Sequence, residues 1–152
     1  MTPKTAPCLR YIGVFGIMDL LGKIIMKNIA IKENHLYNKA YTRGKSFTGR
    51  LVAVYVLKDR AALKLKNANP QKQFINRFGL SVSKKLGGAV VRNRAKRIIR
   101  AGLDTCKAEL RQGYLIVISA RFGIRGRSSA DVAKELRNAF ENLDLLINED
   151  KS

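Results

Sequence analysis

The chain has 152 residues, 46% of them hydrophobic, with 30 Lys and Arg against 11 Asp and Glu and a formal net charge of +19. That length suits one domain with or without a tail, and the apolar fraction supports a packed core, so a chain disordered throughout is excluded despite its charge. Charge of this size costs self-repulsion in the folded state and points to a polyanionic partner, nucleic acid first and anionic membrane second.

Residues 1–25 read differently from the rest. Tyr11 to Ile25 is largely apolar but holds Asp19 and Lys23, too short and too charged for a membrane span. Lys4 and Arg10 precede it, yet no small-x-small cleavage site follows. The expectation is an N-terminal extension, disordered or a start-site artefact, with the natural chain opening at Met26. Residues 26–147 then form the domain and 148–152 a C-terminal tail.

Residues 32–44 predict a short helix, with Asn34 as N-cap, Leu36, Tyr37, Ala40 and Tyr41 on one face, and Gly44 as a left-handed stop. Residues 50–57 are a strand by β-branched content. Leu51, Ala53, Tyr55 and Leu57 point to one face of it, and Val52, Val54 and Val56 to the other. The polar, basic stretch 58–76, with its Asn69-Pro70 turn signal, reads as a long mobile hairpin connection. A second strand over 77–83 sets Leu80 and Val82 against Ser81 and Ser83.

A second helix spans 89–111, its stripe made by Val91, Ala95, Ile98, Gly102 and Cys106 and widened by Ile99, Leu103 and Leu110. The apolar run 114–120 predicts a strand covered on both faces. A basic loop with Arg121, Arg125 and Arg127 follows. Ser129 and Asp131 start a last helix that buries Val132, Leu136, Ala139, Phe140 and Leu143. Phe47, Phe74, Phe78, Phe122 and Phe140 are expected as core or loop anchors. The order of elements gives an α+β fold, helices packed on a mixed sheet.

Few catalytic chemistries are open to this composition. Cys8 and Cys106 form no CxxC pair, and His35 is the single histidine. No structural zinc site follows from the usual spacings, and a secreted disulfide framework is not expected, so a reducing compartment, the cytoplasm, is. There is no Ser-His-Asp or Cys-His arrangement and no GxxxxGK[ST] loop. The sequence offers no catalytic residue and no metal ligand; any chemistry belongs to a partner.

The informative stretch is 84–100, KKLGGAVVRNRAKRIIR, with seven basic residues (Lys84, Lys85, Arg92, Arg94, Lys96, Arg97, Arg100) and no acidic one. At about 100° per residue, Arg92, Asn93, Lys96, Arg97 and Arg100 gather opposite Val91, Ala95, Ile98 and Gly102, with Arg94 on a flank. Groups one turn apart suit a phosphate backbone: Arg binds phosphate as a fork, Lys as a point charge, and the Asn93 amide can meet a base edge or a 2′-hydroxyl. Gly87 and Gly88 allow a sharp turn into a helix N-terminus, which favours anions. Tyr37, Tyr41 and Tyr55 form a second surface on which single-stranded bases could stack. Their spacing alone slightly favours core residues with hydroxyls at the rim.

The stretch RFGLSVSKKLGGAVVRNRAKRIIRAGL (77–103) resembles the signature of the bacterial ribonuclease P protein subunit. It matches in Ser81-Val82-Ser83-Lys84-Lys85, Gly87, Ala89-Val90, Arg92-Asn93-Arg94, Lys96-Arg97 and Ile99-Arg100. Tyr37, Tyr41, Arg43-Gly44, Tyr55 and the strand from Tyr114 to Ala120 agree with the family's flanking features, and the resemblance covers about 26–147. Residues 1–25 have no counterpart in it, and 58–76 look longer than the family's connection.

The resemblance implies a four-stranded mixed sheet with a left-handed β-α-β crossover, a hand that periodicity does not show. It further implies a large RNA subunit that, with the substrate, holds catalytic Mg²⁺ and removes the 5′ leader from precursor tRNA by phosphodiester hydrolysis. The protein is then an accessory subunit that binds the leader and supports Mg²⁺ binding. Carried over by position, Lys84, Lys85, Arg92, Asn93, Arg94, Lys96, Arg97 and Arg100 contact RNA, and Tyr37, Tyr41 and Tyr55 line the leader cleft. Arg50 and Arg77 are extra phosphate contacts by charge alone. Partners are the RNA subunit and precursor tRNA, with neither membrane nor DNA. The competing readings are a ribosomal-type structural RNA-binding protein, and a DNA-binding regulator with the basic helix in a major groove.

Overall fold

A computed structural model of the chain describes residues 29–61 and 76–147. The expectations for the extension 1–25, the greater part of the 58–76 connection including Phe74, and the tail 148–152 lie outside the described residues, but the hairpin reading of 58–76 is corrected: the strands it joins, Val52–Lys58 and Arg77–Val82, are separated in the sheet by Tyr114–Ala120.

The elements are β1 (Ile29–Ala30), α1 (Asn34–Arg43), β2 (Lys45–Thr48), β3 (Val52–Lys58), β4 (Arg77–Val82), α2 (Ala89–Cys106), β5 (Tyr114–Ala120) and α3 (Ser129–Asn142). Single 3-10 turns lie at Lys84–Leu86, Lys107–Glu109 and Phe122–Ile124. The strands form one mixed sheet in the order β1-β4-β5-β3-β2. β4 is parallel to β1 and β5, while β3 is antiparallel to β5 and β2. The expected α+β class and four-stranded sheet are present in β2 to β5, and the two-residue β1 adds a fifth strand at one edge.

Alternation along the strands divides the core in two. Val52, Val54, Val56, Phe78, Ile116 and Ile118 pack under α2 and α3, against Ala95, Ile99, Leu103, Leu136 and Phe140. Leu115 and Val117 face the other way, under α1, with Ile31 and Ala40 buried and Leu36, Tyr37, Tyr55 and Leu57 half-buried around them. β5 is thus covered on both faces, as its unbroken apolar run requires. Full burial of Ile99, Leu136 and Phe140, about 2–3 kcal/mol each relative to exposure, fixes the two amphipathic helices on the sheet.

The hand of the crossover follows from residue chirality. View the sheet with α2 and α3 in front and β4 running upward. An L-residue whose side chain points at the viewer turns its own N–H and C=O to the right. Phe78 is such a residue, and its carbonyl accepts from Ile31 N at 3.0 Å, next to β1. β1 therefore lies to the right of β4 and β5 to its left. The chain rises through β4, returns in front through α2 and re-enters on the left. That is a left-handed crossover, against the strong general preference for the right hand.

Several local expectations are corrected. Glu33, not Asn34, is the N-cap residue of α1, and it makes no side-chain capping bond. Gly44 ends α1 in an extended conformation (φ −78°, ψ 155°); glycine is required there because a β-carbon would collide with the Ala40 carbonyl and lie 2.9 Å from that of Val56. Leu51 precedes β3 and joins the core under α2 and α3, so strand alternation does not reach it. β2 was not anticipated: KSFT is too short and polar to stand out, and it exists by pairing with β3. α2 ends at Cys106, where the chain tightens into a 3-10 turn. α3 starts from Ser128, which forms a reciprocal capping box with Asp131. Phe122 is no anchor, being 67% exposed.

Candidate nucleic-acid interface

α2 is held by Ala95, Ile99, Gly102, Leu103 and Cys106, all buried. This stripe is rolled toward Ile99 and Leu103 relative to the one expected from Val91 and Ile98, which are only half-buried. The roll has two effects. Asn93, Arg97 and Arg100 face solvent, while Arg92 and Lys96 lie half-buried on the flank they share by helical spacing with Ile99 and Leu103. Arg94 is exposed on the opposite flank, where it lines an apolar groove. The six side chains therefore fan around the helix, with Asn93, Arg97 and Arg100 at the centre, Arg92 and Lys96 to one side and Arg94 to the other. None of the five cations forms an ion pair with a described residue. The Arg92 Nε is buried and without a hydrogen-bond partner, a donor of the kind that protein interiors seldom leave unsatisfied.

Lys84 and Lys85 are exposed in the 3-10 turn at the end of β4. The Ser83 hydroxyl accepts from Lys85 N at 3.3 Å and closes the turn. Gly87 follows at φ 147°, a conformation reserved for glycine, and redirects the chain into α2. Gly88, the N-cap residue, supplies no side-chain cap, so the first N–H groups of α2 receive no capping bond from it.

The opposite face of the sheet holds the aromatic candidates. Tyr37 is half-buried and donates weakly to the Ile31 carbonyl at 3.5 Å. Burial pushes its phenol above the usual pKa, the neighbouring Tyr41 adds to this, and a backbone hydrogen bond at Leu80 offsets part of it. Tyr41 and Tyr55 pack edge to face, with centroids 4.7 Å apart and an interplanar angle of 81°. Beyond α1, register lines up Thr48, Ala53, Ser119 and Ser81 across four strands. By alternation these share the face of Tyr55 and Val117. The tyrosines thus share this face of the sheet with a row of small and hydroxylated residues. Sequence reasoning found the tyrosines, put Ala53 on the face of Tyr55 and placed Ser81 opposite Leu80, but missed Thr48 and Ser119, which only strand pairing brings to this row.

Two further cations part ways. Arg50 is exposed. Arg77 is bonded through Nε to Asp59 Oδ2 at 2.6 Å, with the two side chains 14% and 6% exposed. It is a structural ion pair and is withdrawn as a phosphate contact. Arg121 donates to the Gly49 carbonyl at 2.7 Å and fastens the β2–β3 turn. Among the described residues, no group of three or more His, Cys, Asp or Glu could hold a metal ion, and no helix is long and apolar enough to cross a membrane.

A cationic helix on one face of a small sheet, with a tyrosine cluster on the other, defines an RNA-binding protein of the kind that works inside a ribonucleoprotein. Residues 25–144 match the model of the family described as Ribonuclease P. A ribonuclease P protein component from Clostridium acetobutylicum is 36% identical over 127 residues, 84% of this chain and 98% of its own length. Another, from Clostridium perfringens, is 35% identical over 121 residues, 80% of this chain and 93% of its own. The solved RNase P protein of Staphylococcus aureus superposes with a TM-score of 0.62 at 26% identity, covering 80% of this chain and 100% of its own. The chain belongs to the ribonuclease P protein family, and its role is that of the protein subunit of ribonuclease P, in tRNA processing.

Proposed function

We propose that this chain is the accessory subunit of a ribonucleoprotein endonuclease whose RNA subunit hydrolyses the phosphodiester bond that releases the 5′ leader of precursor tRNA. The observation that carries this reading is α2: a helix riveted to the core along one side, with five cations that no described carboxylate neutralises. Asn93, Arg97 and Arg100 meet RNA directly, and Arg92, Lys96 and Arg94 extend the contact to either flank. Lys84 and Lys85 take phosphates at the mouth of the β4 turn. The leader lies in the cleft under α1, its bases against Tyr37, Tyr41 and Tyr55, each stack worth about 1–3 kcal/mol.

The partners are the RNA subunit and precursor tRNA, in the cytoplasm; neither DNA nor membrane is one. The donor set of this surface, amides, hydroxyls and cations, does not fit Mg²⁺, which takes carboxylate and phosphate oxygens. Mg²⁺ is thus assigned to the RNA subunit and substrate, and the protein's support for it is indirect, through screening of phosphate repulsion.

The test is reconstitution of precursor tRNA cleavage with the cognate RNA at low Mg²⁺, with and without the chain. Cleavage restored only by the chain is expected. Leader removal indifferent to the chain, with RNA binding intact, would leave a ribosomal-type structural protein instead.

A further inference from the structure

The roll of α2 leaves an apolar margin, Val91 and Ile98, that its own core covers only in part, with Val90 exposed beside it. Val90, Val91 and Ile98 line a groove of about 190 Å³ against Ile124, with Arg94 and Arg125 also in its lining. Val90 is 79% and Phe122 67% exposed, and both are rigid apolar side chains held out in water. Arg125 stands over the Phe122 ring at 5.3 Å. Such a pair presents one aromatic face already polarised by a cation. No acidic residue lines the groove.

From this we infer a second RNA contact: the groove receives one unpaired nucleobase of the ribonuclease P RNA subunit, seated on Val90 and Val91 and reaching the Phe122 ring, which lies outside the groove lining and adjoins it through Arg125, with its flanking phosphates on Arg94 and Arg125. Size supports a single ring system, since the volume falls below the ~300–1,000 Å³ of ordinary small-molecule sites. Charge supports a polyanion over an apolar peptide, because the lining cations are unopposed. Position supports the RNA subunit over the leader, because α1 and its tyrosines lie on the other face of the sheet. Arg94 also joins the groove to the basic ridge of α2, so a single strand could pass from one to the other. The inference rests on the ribonuclease P reading for the identity of the RNA.

The experiment uses the full chain with its cognate RNA subunit. Phe122→Ala, Phe122→Tyr and Val90→Glu are compared with the double variant Arg97→Ala/Arg100→Ala. Affinity is measured across a salt series, and the RNA in each complex is mapped with a base-modifying reagent. Phe122→Ala is expected to weaken binding about tenfold, the scale of one lost stack, without changing the salt slope, because an apolar ring displaces no counterions. Val90→Glu should lose at least as much, Phe122→Tyr should restore binding, and the same unpaired nucleotide should gain reactivity with Phe122→Ala and Val90→Glu. The Arg97/Arg100 variant instead flattens the slope. The groove assignment is overturned if Phe122→Ala and Val90→Glu bind within about twofold of the parent with no nucleotide changing. It is equally overturned if their RNA binding is intact but they lose capture of an acidic, apolar peptide that the parent binds. A ridge variant with an unchanged slope counts against the reading of α2, and is scored separately from the groove.

Discussion

The Tyr37 ring rests on the backbone of Gly79: a β-carbon at position 79 would lie 2.7 Å from its Cε1. This close approach sets the height of α1 above β4. Gly79→Ala should cost about 1–3 kcal/mol as overpacking, read by urea titration. It should also weaken binding of leader-bearing precursor more than of mature tRNA. Equal losses for the two RNAs would detach this contact from leader binding. Since Tyr37 has its pKa raised, the stability tied to its neutral phenol is present below the ordinary value of 10.0 and is lost as pH climbs through the higher folded value.

The Asp59–Arg77 pair predicts an asymmetric outcome. Asp59→Ala strands a largely buried guanidinium and should cost about 3–5 kcal/mol. Arg77→Met with Asp59→Leu should recover much of that loss by replacing the pair with apolar volume. The double variant should keep the salt slope of RNA binding. A flatter slope would return Arg77 to the list of phosphate contacts.

Cys106 is buried at the end of α2, and its thiol is pushed up to about 11, by burial first and the Glu109 carboxylate second. In a Cys8→Ser background, Cys106 of the native protein at pH 8 should react with a thiol reagent far more slowly than in the unfolded protein. Stability should fall as pH rises from about 9 through about 11, the interval between the ordinary and folded values. A Cys106→Ala variant should show a shallower decline over that interval, which chemical denaturation at each pH would reveal.

Gly102 lets α2 meet α3 closely, since a β-carbon there would sit 3.1 Å from Ala133 N and 3.3 Å from the Ser129 carbonyl. Gly102→Ala offers a helix-propensity gain of about 1 kcal/mol, set against displacement of backbone that cannot move alone. A net loss of thermal stability is expected, and a raised Tm would show that the helices can separate without penalty.

Much of this molecule was legible from periodicity. The apolar run 114–120 announced a central strand, and Val132, Leu136, Ala139 and Phe140 announced the buried face of α3. The basic stretch on α2 and the tyrosines of α1 and β3 were also found, because charge clustering and aromatic spacing are local properties. The roll of α2 was not. Val91 and Ile98 are as apolar as Ile99 and Leu103, and only contact with the sheet and α3 selects between them. β2 pairs with the neighbouring β3 across a tight turn but is too short and polar to stand out, and the Thr48-Ala53-Ser119-Ser81 row depends on the pairing of β3 and β4 with the distant β5, which residue type does not encode. The Asp59–Arg77 pair was lost for the same reason: a cation read from sequence carries no mark of the carboxylate that will neutralise it.

One consequence of placing α1 and α2 on opposite faces is a matter of spacing. Two nucleic-acid strands held by those faces would be kept apart by the sheet together with α2, a helix about 10–12 Å across with its side chains, and so by more than the Debye length of about 8 Å in physiological salt. A chain of charge +19 lying between them would serve as a cationic spacer, letting two mutually repelling polymers run side by side at a fixed gap.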